Sequence, residues 1–113
     1  MDWIPLVSSD QLEEIHNSSK ASIIFKHSTR CPVSGMAKRN VQLEAVLIPE
    51  GVPAYFLDLI QFRDLSNLIA EKWAVRHESP QLLLIHNKKC LYHASHNDIS
   101  IAEVVNKIKA TNS

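Results

Sequence analysis

The sequence is short of nearly every compositional feature that marks a special class of protein. It holds two cysteines in 113 residues, too few for the disulfide framework that staples small secreted domains. It has no excess charge of either sign, because 12 Lys and Arg offset 12 Asp and Glu. Binding to nucleic acid draws mainly on a basic surface that neutralises phosphates, so no nucleic-acid partner is expected. Long apolar runs are also missing. The longest, such as residues 82–85, are strand-sized, far from the ~20 residues that cross a bilayer, so no membrane partner is expected. The opening Met1-Asp2-Trp3-Ile4-Pro5 has no basic stretch leading into an apolar segment, which argues against a secretory leader. Low-complexity linkers and internal repeats are absent. What is present is a 45% hydrophobic composition, close to the globular average and sufficient at this length to bury a core. The expectation is a single domain over residues 1–113 in the cytoplasm, where free thiols are catalytic, metal-binding or buried.

Helical and strand patterns alternate along the chain. Asp10 with Glu13 resembles a capping box that opens a first helix, with Leu12 and Ile15 on one face, ending near Ser18. Residues 21–26 form an apolar, β-branched run suited to a buried strand. A polar segment then reaches Cys31-Pro32, and Pro is preorganised for a first helical position, with Val33, Met36, Ala37 and Val41 as the inner stripe. Pro49, Gly51 and Pro53 interrupt the chain before a second strand at 54–59. Asp64 is placed to cap a helix carrying Leu65, Leu68, Ile69 and Trp73. A third strand at 81–85 turns through Asn87-Lys88 into a fourth at 90–94, an antiparallel hairpin. Ser100 and Glu103 then cap a closing helix lined by Ile101, Val104, Val105 and Ile108. A right-handed βαβ unit followed by a hairpin and a final helix predicts an α/β, thioredoxin-like fold, with a mixed four-stranded central sheet and helices on both faces.

The chemistry concentrates at Cys31. A cysteine between a strand and a helix start faces unpaired N–H groups and the positive end of the helix dipole. Such sites lower a thiol pKa from ~8.5 into the range of roughly 3.5–7.5. Lys26, Arg30, Lys38 and Arg39 surround this point in sequence with no acidic residue between Lys26 and Arg39. Ser34 stands three residues after Cys31, where a dithiol enzyme carries its second cysteine. A hydroxyl there can accept or donate a hydrogen bond but cannot close a disulfide, so the site reads as monothiol. The second feature is Ser79-Pro80 directly before an apolar strand. Pro is tolerated at a strand's first residue, and coincidence with the Cys31 motif points to a cis peptide that leaves the preceding backbone free to pair with an extended substrate.

Lys26-His27-Ser28-Thr29-Arg30-Cys31-Pro32-Val33-Ser34, with Arg76-His77-Glu78-Ser79-Pro80, resembles the YtxJ-type bacilliredoxins, monothiol thioredoxin-like proteins linked to bacillithiol. The likeness extends over essentially the whole chain. It implies a bacterial cytoplasmic oxidoreductase that removes bacillithiol from mixed disulfides on client proteins, with no tightly bound cofactor and with bacillithiol as the thiol co-substrate. In that scheme Cys31 is the nucleophile, Ser34 fills the place of a resolving cysteine, and Pro32, Ser79, Pro80, Arg30 and His27 contact the substrate.

Alternative readings follow from the same residues. A monothiol thioredoxin-like domain can share an iron–sulfur cluster between subunits through Cys31, or can serve as a non-catalytic interaction module. Cys90 reads as an inert strand cysteine sharing a face with Tyr92 and Ala94, and as a resolving thiol only in the alternative. His86, His93 and His96 cluster near the hairpin without a carboxylate or second cysteine at ligand spacing, so no metal site is expected. His27 and His77 both precede elements expected to meet at Cys31, and either is placed to move a proton.

Overall fold

The computed structural model describes residues 3–28 and 32–111, with the backbone alone for Pro32, Val33, Ser34 and Asn97. The elements run β1 (Ile4–Pro5), α1 (Ser9–Asn17), β2 (Ser22–His27), α2 (Pro32–Glu44), β3 (Ala54–Asp58), α3 (Arg63–Trp73), β4 (Gln81–His86), β5 (Lys89–Ser95) and α4 (Ile101–Thr111). Short 3-10 turns at Ala45–Leu47 and His96–Asp98 follow α2 and β5. The sheet has five strands in the order β1-β3-β2-β4-β5, one more than the sequence pattern predicts. The added strand is β1, two residues that pair in parallel with Tyr55 and Phe56 at the edge of the sheet. A two-residue strand has no periodicity to detect, and Pro5 lacks a donor, which confines it to an edge.

β2 runs parallel to β3 and antiparallel to β4, which pairs antiparallel with β5. Alternation along β2 divides the core. Ile23 and Phe25 face α2 and α4, where Ala37, Val41, Ile101, Val104, Val105 and Ile108 cover them. Ile24 faces α1 and α3, against Leu12, Ile15, Leu65, Ile69 and Trp73. The apolar stripe predicted for α4 is buried at all four positions, because spacing by three and four residues keeps one helix face inward.

Several local details differ from the sequence pattern. The N-cap of α1 is Ser8, two residues before Asp10. Gln11 closes the turn by accepting from the Ser8 N–H at 3.1 Å and the Val7 N–H at 2.7 Å, while its Nε2 donates to the Pro5 carbonyl at 2.9 Å. Asp64 lies in the first turn of α3, whose N-cap is Phe62. There its carboxylate still meets the positive end of the helix. Met36 is exposed, while Ala37 and Val41 are buried as expected; the side chain of Val33 lies outside the described residues, and Leu68 is half-exposed on α3.

Asn87 and Lys88 both take positive φ, 53° and 66°, the backbone of a type I′ hairpin turn. A bulge follows. Ile85 pairs with Cys90 but Leu84 pairs with Tyr92, so Leu91 is the extra residue. The bulge rotates the alternation, and Cys90 and Tyr92 lie on opposite faces rather than sharing one. Cys90 packs against the α1/α3 core and Tyr92 against the α2/α4 core.

Candidate active site

Strand register builds the site. β2 ends at His27 and α2 begins at Pro32, so the Cys31 segment connects the two. Lys26 pairs with Gln81, and the antiparallel register sets the residue before β4, Pro80, beside the end of β2. The Ser79-Pro80 peptide is cis, as the sequence pattern anticipated. Arg30 and Cys31 lie outside the described residues, as do the side chains of Pro32 and Ser34. Their chain position is nonetheless bracketed by the end of β2 and the first turn of α2. The leading N–H groups of that turn have no acceptor within the helix, and no acidic side chain occupies it.

The segment 76–80 is fastened on several sides. Gln81 Nε2 donates to the Arg76 carbonyl at 2.9 Å, and the His96 N–H donates to the Pro80 carbonyl at 3.0 Å. Ser95 Oγ donates to the Glu78 carboxylate, and His96 Nδ1 lies 3.9 Å from the same carboxylate. These contacts hold Glu78 below the usual carboxylate range, the Ser95 hydroxyl contributing most. Among the described residues, none of these contacts uses the Ser79 backbone.

His27 is buried at the end of β2 on the α2 face. Its ring lies 5.5 Å from Phe56 and 6.1 Å from Phe25 between centroids. Burial, then the charge of Lys38, lowers its pKa, with Asp58 opposing. Nδ1 has no partner among the described residues. A neutral imidazole in this position has one nitrogen able to accept a proton. The Lys38 ammonium itself sits 5.3 Å from the Phe56 ring centre, a cation–π placement that draws it away from a free-standing role.

His77 does not join His27. It is exposed at the surface with Nδ1 turned inward to the α3 side, 3.0 Å from Ser66 Oγ and 3.3 Å from Lys26 Nζ. Burial, Lys26 and Arg63 lower its pKa, in that order of weight, against Glu78. The two histidines therefore reach the same end of the sheet from opposite faces. Lys26 also departs from the expected basic cluster around Cys31. Alternation sends it to the α3 face with Ile24, fully buried, where Nζ donates to the Ser66 carbonyl at 3.3 Å. Sequence reading missed this cluster. The available signal was a lysine inside a strand whose every other residue is buried.

Cys90 lies far from this end. It pairs with Ile85, which pairs with Ser22 at the start of β2. Ser22 is four residues from Lys26, roughly 13 Å along the strand at about 3.3 Å per residue. Burial raises the Cys90 thiol above its ordinary range, which disfavours the thiolate. Among the described residues no three His, Cys, Asp or Glu side chains group as metal ligands. No described helix is long and apolar enough to cross a membrane.

A parallel βαβ unit running into an antiparallel hairpin, with a cis-Pro preceding β4 opposite the end of β2 and a Cys-Pro pair in the sequence at the start of α2, is the pattern of a thiol oxidoreductase of the thioredoxin fold. The chain belongs to the monothiol bacilliredoxin family: the family model described as monothiol bacilliredoxin BrxC matches residues 4–104. Among solved structures, a candidate oxidoreductase with a thioredoxin fold is 35% identical, with 92% of this chain and 91% of that chain covered and a TM-score of 0.77. The thioredoxin of Trypanosoma brucei brucei shares 15% identity over 98% of this chain and 91% of its own, at a TM-score of 0.72. The thioredoxin of Malassezia sympodialis shares 18% over 99% and 92%, at 0.71. The last two likenesses concern the fold alone.

Proposed function

We propose that the protein removes bacillithiol, or a low-molecular-weight thiol like it, from mixed disulfides on cytoplasmic client proteins, using Cys31 as nucleophile. The observation that supports this reading is the β2–β4 register, which carries the cis Ser79-Pro80 peptide to the end of β2, the strand that Cys31-Pro32-Val33-Ser34 follows in the sequence. An extended client segment pairs with the Ser79 backbone and brings its mixed disulfide to Cys31. The Cys31 thiolate attacks the bacillithiol sulfur, the S–S bond breaks, and the client leaves as a thiolate. Cys31 now holds bacillithiol in a disulfide. No electrons enter or leave in this exchange. A second low-molecular-weight thiolate then attacks the bacillithiol sulfur, frees Cys31 and departs as a symmetrical or mixed small-molecule disulfide.

The roles of the surrounding groups follow from their chemistry. Ser34 in place of a resolving cysteine leaves that second step to an external thiol. Pro32 fixes the backbone at the helix start. Arg30 offers a planar cation to carboxylates on the small thiol or client. His27, buried at the end of β2, accepts the thiol proton or returns one to the departing sulfur. Bacillithiol serves as co-substrate, with no resident cofactor required. The test is a client-release assay: a protein carrying bacillithiol on a single cysteine is mixed with wild type or Cys31→Ser, and free client thiol is titrated. Release by wild type alone supports the reading, and equal release by both contradicts it.

A further inference from the structure

Lys26 is a fully buried ammonium, and among the described residues no carboxylate forms an ion pair with it. Its two contacts are the Ser66 carbonyl of α3 and Nδ1 of His77, both at 3.3 Å. Ser66 is fully buried too, and its Oγ reaches the same Nδ1 at 3.0 Å. Two donors therefore converge on one ring nitrogen. Acceptance at Nδ1 puts the ring proton on Nε2 and keeps the imidazole neutral. The arrangement ties three parts of the chain together: the end of β2, the second turn of α3 and the segment that carries Ser79-Pro80. A buried cation without a counter-charge is a poor source of stability. A bond from a charged donor is, however, a directional tether. His77 is two residues from Ser79, so the tether acts at the point where the substrate backbone is expected to pair.

We infer that Lys26 is a positioning residue: through Ser66 and the Nδ1 of His77 it fixes residues 76–80 against the end of β2, holding the Ser79 backbone in register for a protein mixed disulfide. This rests on the function proposed above, in which Ser79-Pro80 is the client platform. Lys26 touches neither client nor small thiol. Its contribution is to client docking and not to the sulfur chemistry, so it acts on KM and leaves the intrinsic reactivity of Cys31 alone.

The test uses Lys26→Met, His77→Leu and His77→Asn in the full chain, with a bacillithiolated protein as substrate. Loss of a hydrogen bond to a charged group corresponds to about a tenfold rise in KM for Lys26→Met and His77→Leu, with kcat within about threefold of wild type. Alkylation of Cys31 by iodoacetamide, a reagent too small to need the platform, stays within about twofold. His77→Asn, whose Oδ1 can take the acceptor place of Nδ1, recovers most of the wild-type KM. A proton-transfer role for His77 would instead leave His77→Asn as impaired as His77→Leu, and that result overturns the inference. So does an unchanged KM in Lys26→Met, or a parallel fall in kcat, alkylation rate and melting temperature, which marks a merely structural role. Amide hydrogen exchange separates this inference from the functional reading. Lys26→Met speeds exchange of the His96 amide, which donates to the Pro80 carbonyl, by about tenfold while the α4 amides keep their protection. A wild type that fails to act on the substrate contradicts the functional reading, and the exchange result still decides whether Lys26 holds the segment.

Discussion

Replacing Lys26 with Met is expected to make the protein more stable at neutral pH while weakening client docking. Burial lowers the Lys26 pKa from 10.5 to about 8, and the residue is fully buried. At 1.36 kcal/mol per pH unit, that difference puts the cost of holding the charged form inside the fold at about 3 kcal/mol. Met is of similar length and fills the same space without the charge. Removing Lys26 leaves His77 Nδ1 with Ser66 Oγ, so no buried acceptor is orphaned there. The expected gain is about 1–3 kcal/mol, in line with other buried ionic groups replaced by apolar ones.

The gain has a definite pH dependence. Below pH 8 the lysine is protonated in both folded and unfolded chains, and the full penalty applies. Between about 8 and 10.5 the folded protein has lost the proton that the unfolded chain still binds, so wild-type stability rises with pH relative to the variant. Above that range the difference vanishes. Cys90, Tyr55 and Tyr92 have raised pKa values, and their stabilising contribution therefore changes in the opposite direction as pH rises. They are common to both proteins and cancel in the difference. Urea unfolding of both at a series of pH values across this range reads the effect, with unchanged slopes confirming a common unfolded state. A Lys26→Met protein less stable than wild type by more than about 1 kcal/mol at neutral pH would refute the reasoning, because the buried charge would then be a net source of stability.

Other expectations are simpler. Cys90→Ala should release client at a rate within about twofold of wild type, and mild oxidation of the wild type followed by non-reducing mass measurement should give no Cys31–Cys90 disulfide. Tyr92 Oη accepts from the Ser100 N–H at 3.1 Å and donates to the Asp98 carbonyl at 3.4 Å. Tyr92→Phe should accordingly lower unfolding free energy by about 1 kcal/mol in urea. Ala74 closes α3 in the left-handed region at φ 55°, where a side chain is disfavoured. Ala74→Gly should raise stability by about 0.5–1 kcal/mol, seen as a higher urea midpoint.

Elements whose burial follows their own periodicity are legible in the sequence alone. The α4 stripe is the clearest case, and the β2–α2–β3 unit with the β4–β5 hairpin follows from short apolar runs and turn residues. What escapes depends on neighbours. β1 exists only because β3 offers an edge to Ile4 and Pro5. The face of Cys90 does not follow from alternation, because the bulge at Leu91 is a property of the pairing with β4 and leaves no trace in the pattern of β5. Met36 fits a helical stripe but is exposed at its outer margin.

The site divides in the same way. Ser79-Pro80 is legible because it occurs with the Cys31 motif at a spacing the fold explains. The Lys26, Ser66 and His77 cluster is not, since its members are separated by 40 and 11 residues and meet only when α3 docks on the sheet. Charge read along the chain places Lys26 with Arg30 and Lys38 around Cys31. The strand's alternation instead sends it through the sheet to the other face, a consequence of register that charge counting ignores.

The central claim is that Cys31 takes the small thiol from a client and holds it. The most direct measurement is intact mass of the protein after brief incubation with a bacillithiolated client and no added small thiol, with peptide mapping of any adduct. The account predicts one bacillithiol on Cys31 of the wild type, none on Cys31→Ser, and an equal amount of client returned to its free thiol. An adduct on Cys90, or client release with no adduct on Cys31, would contradict it.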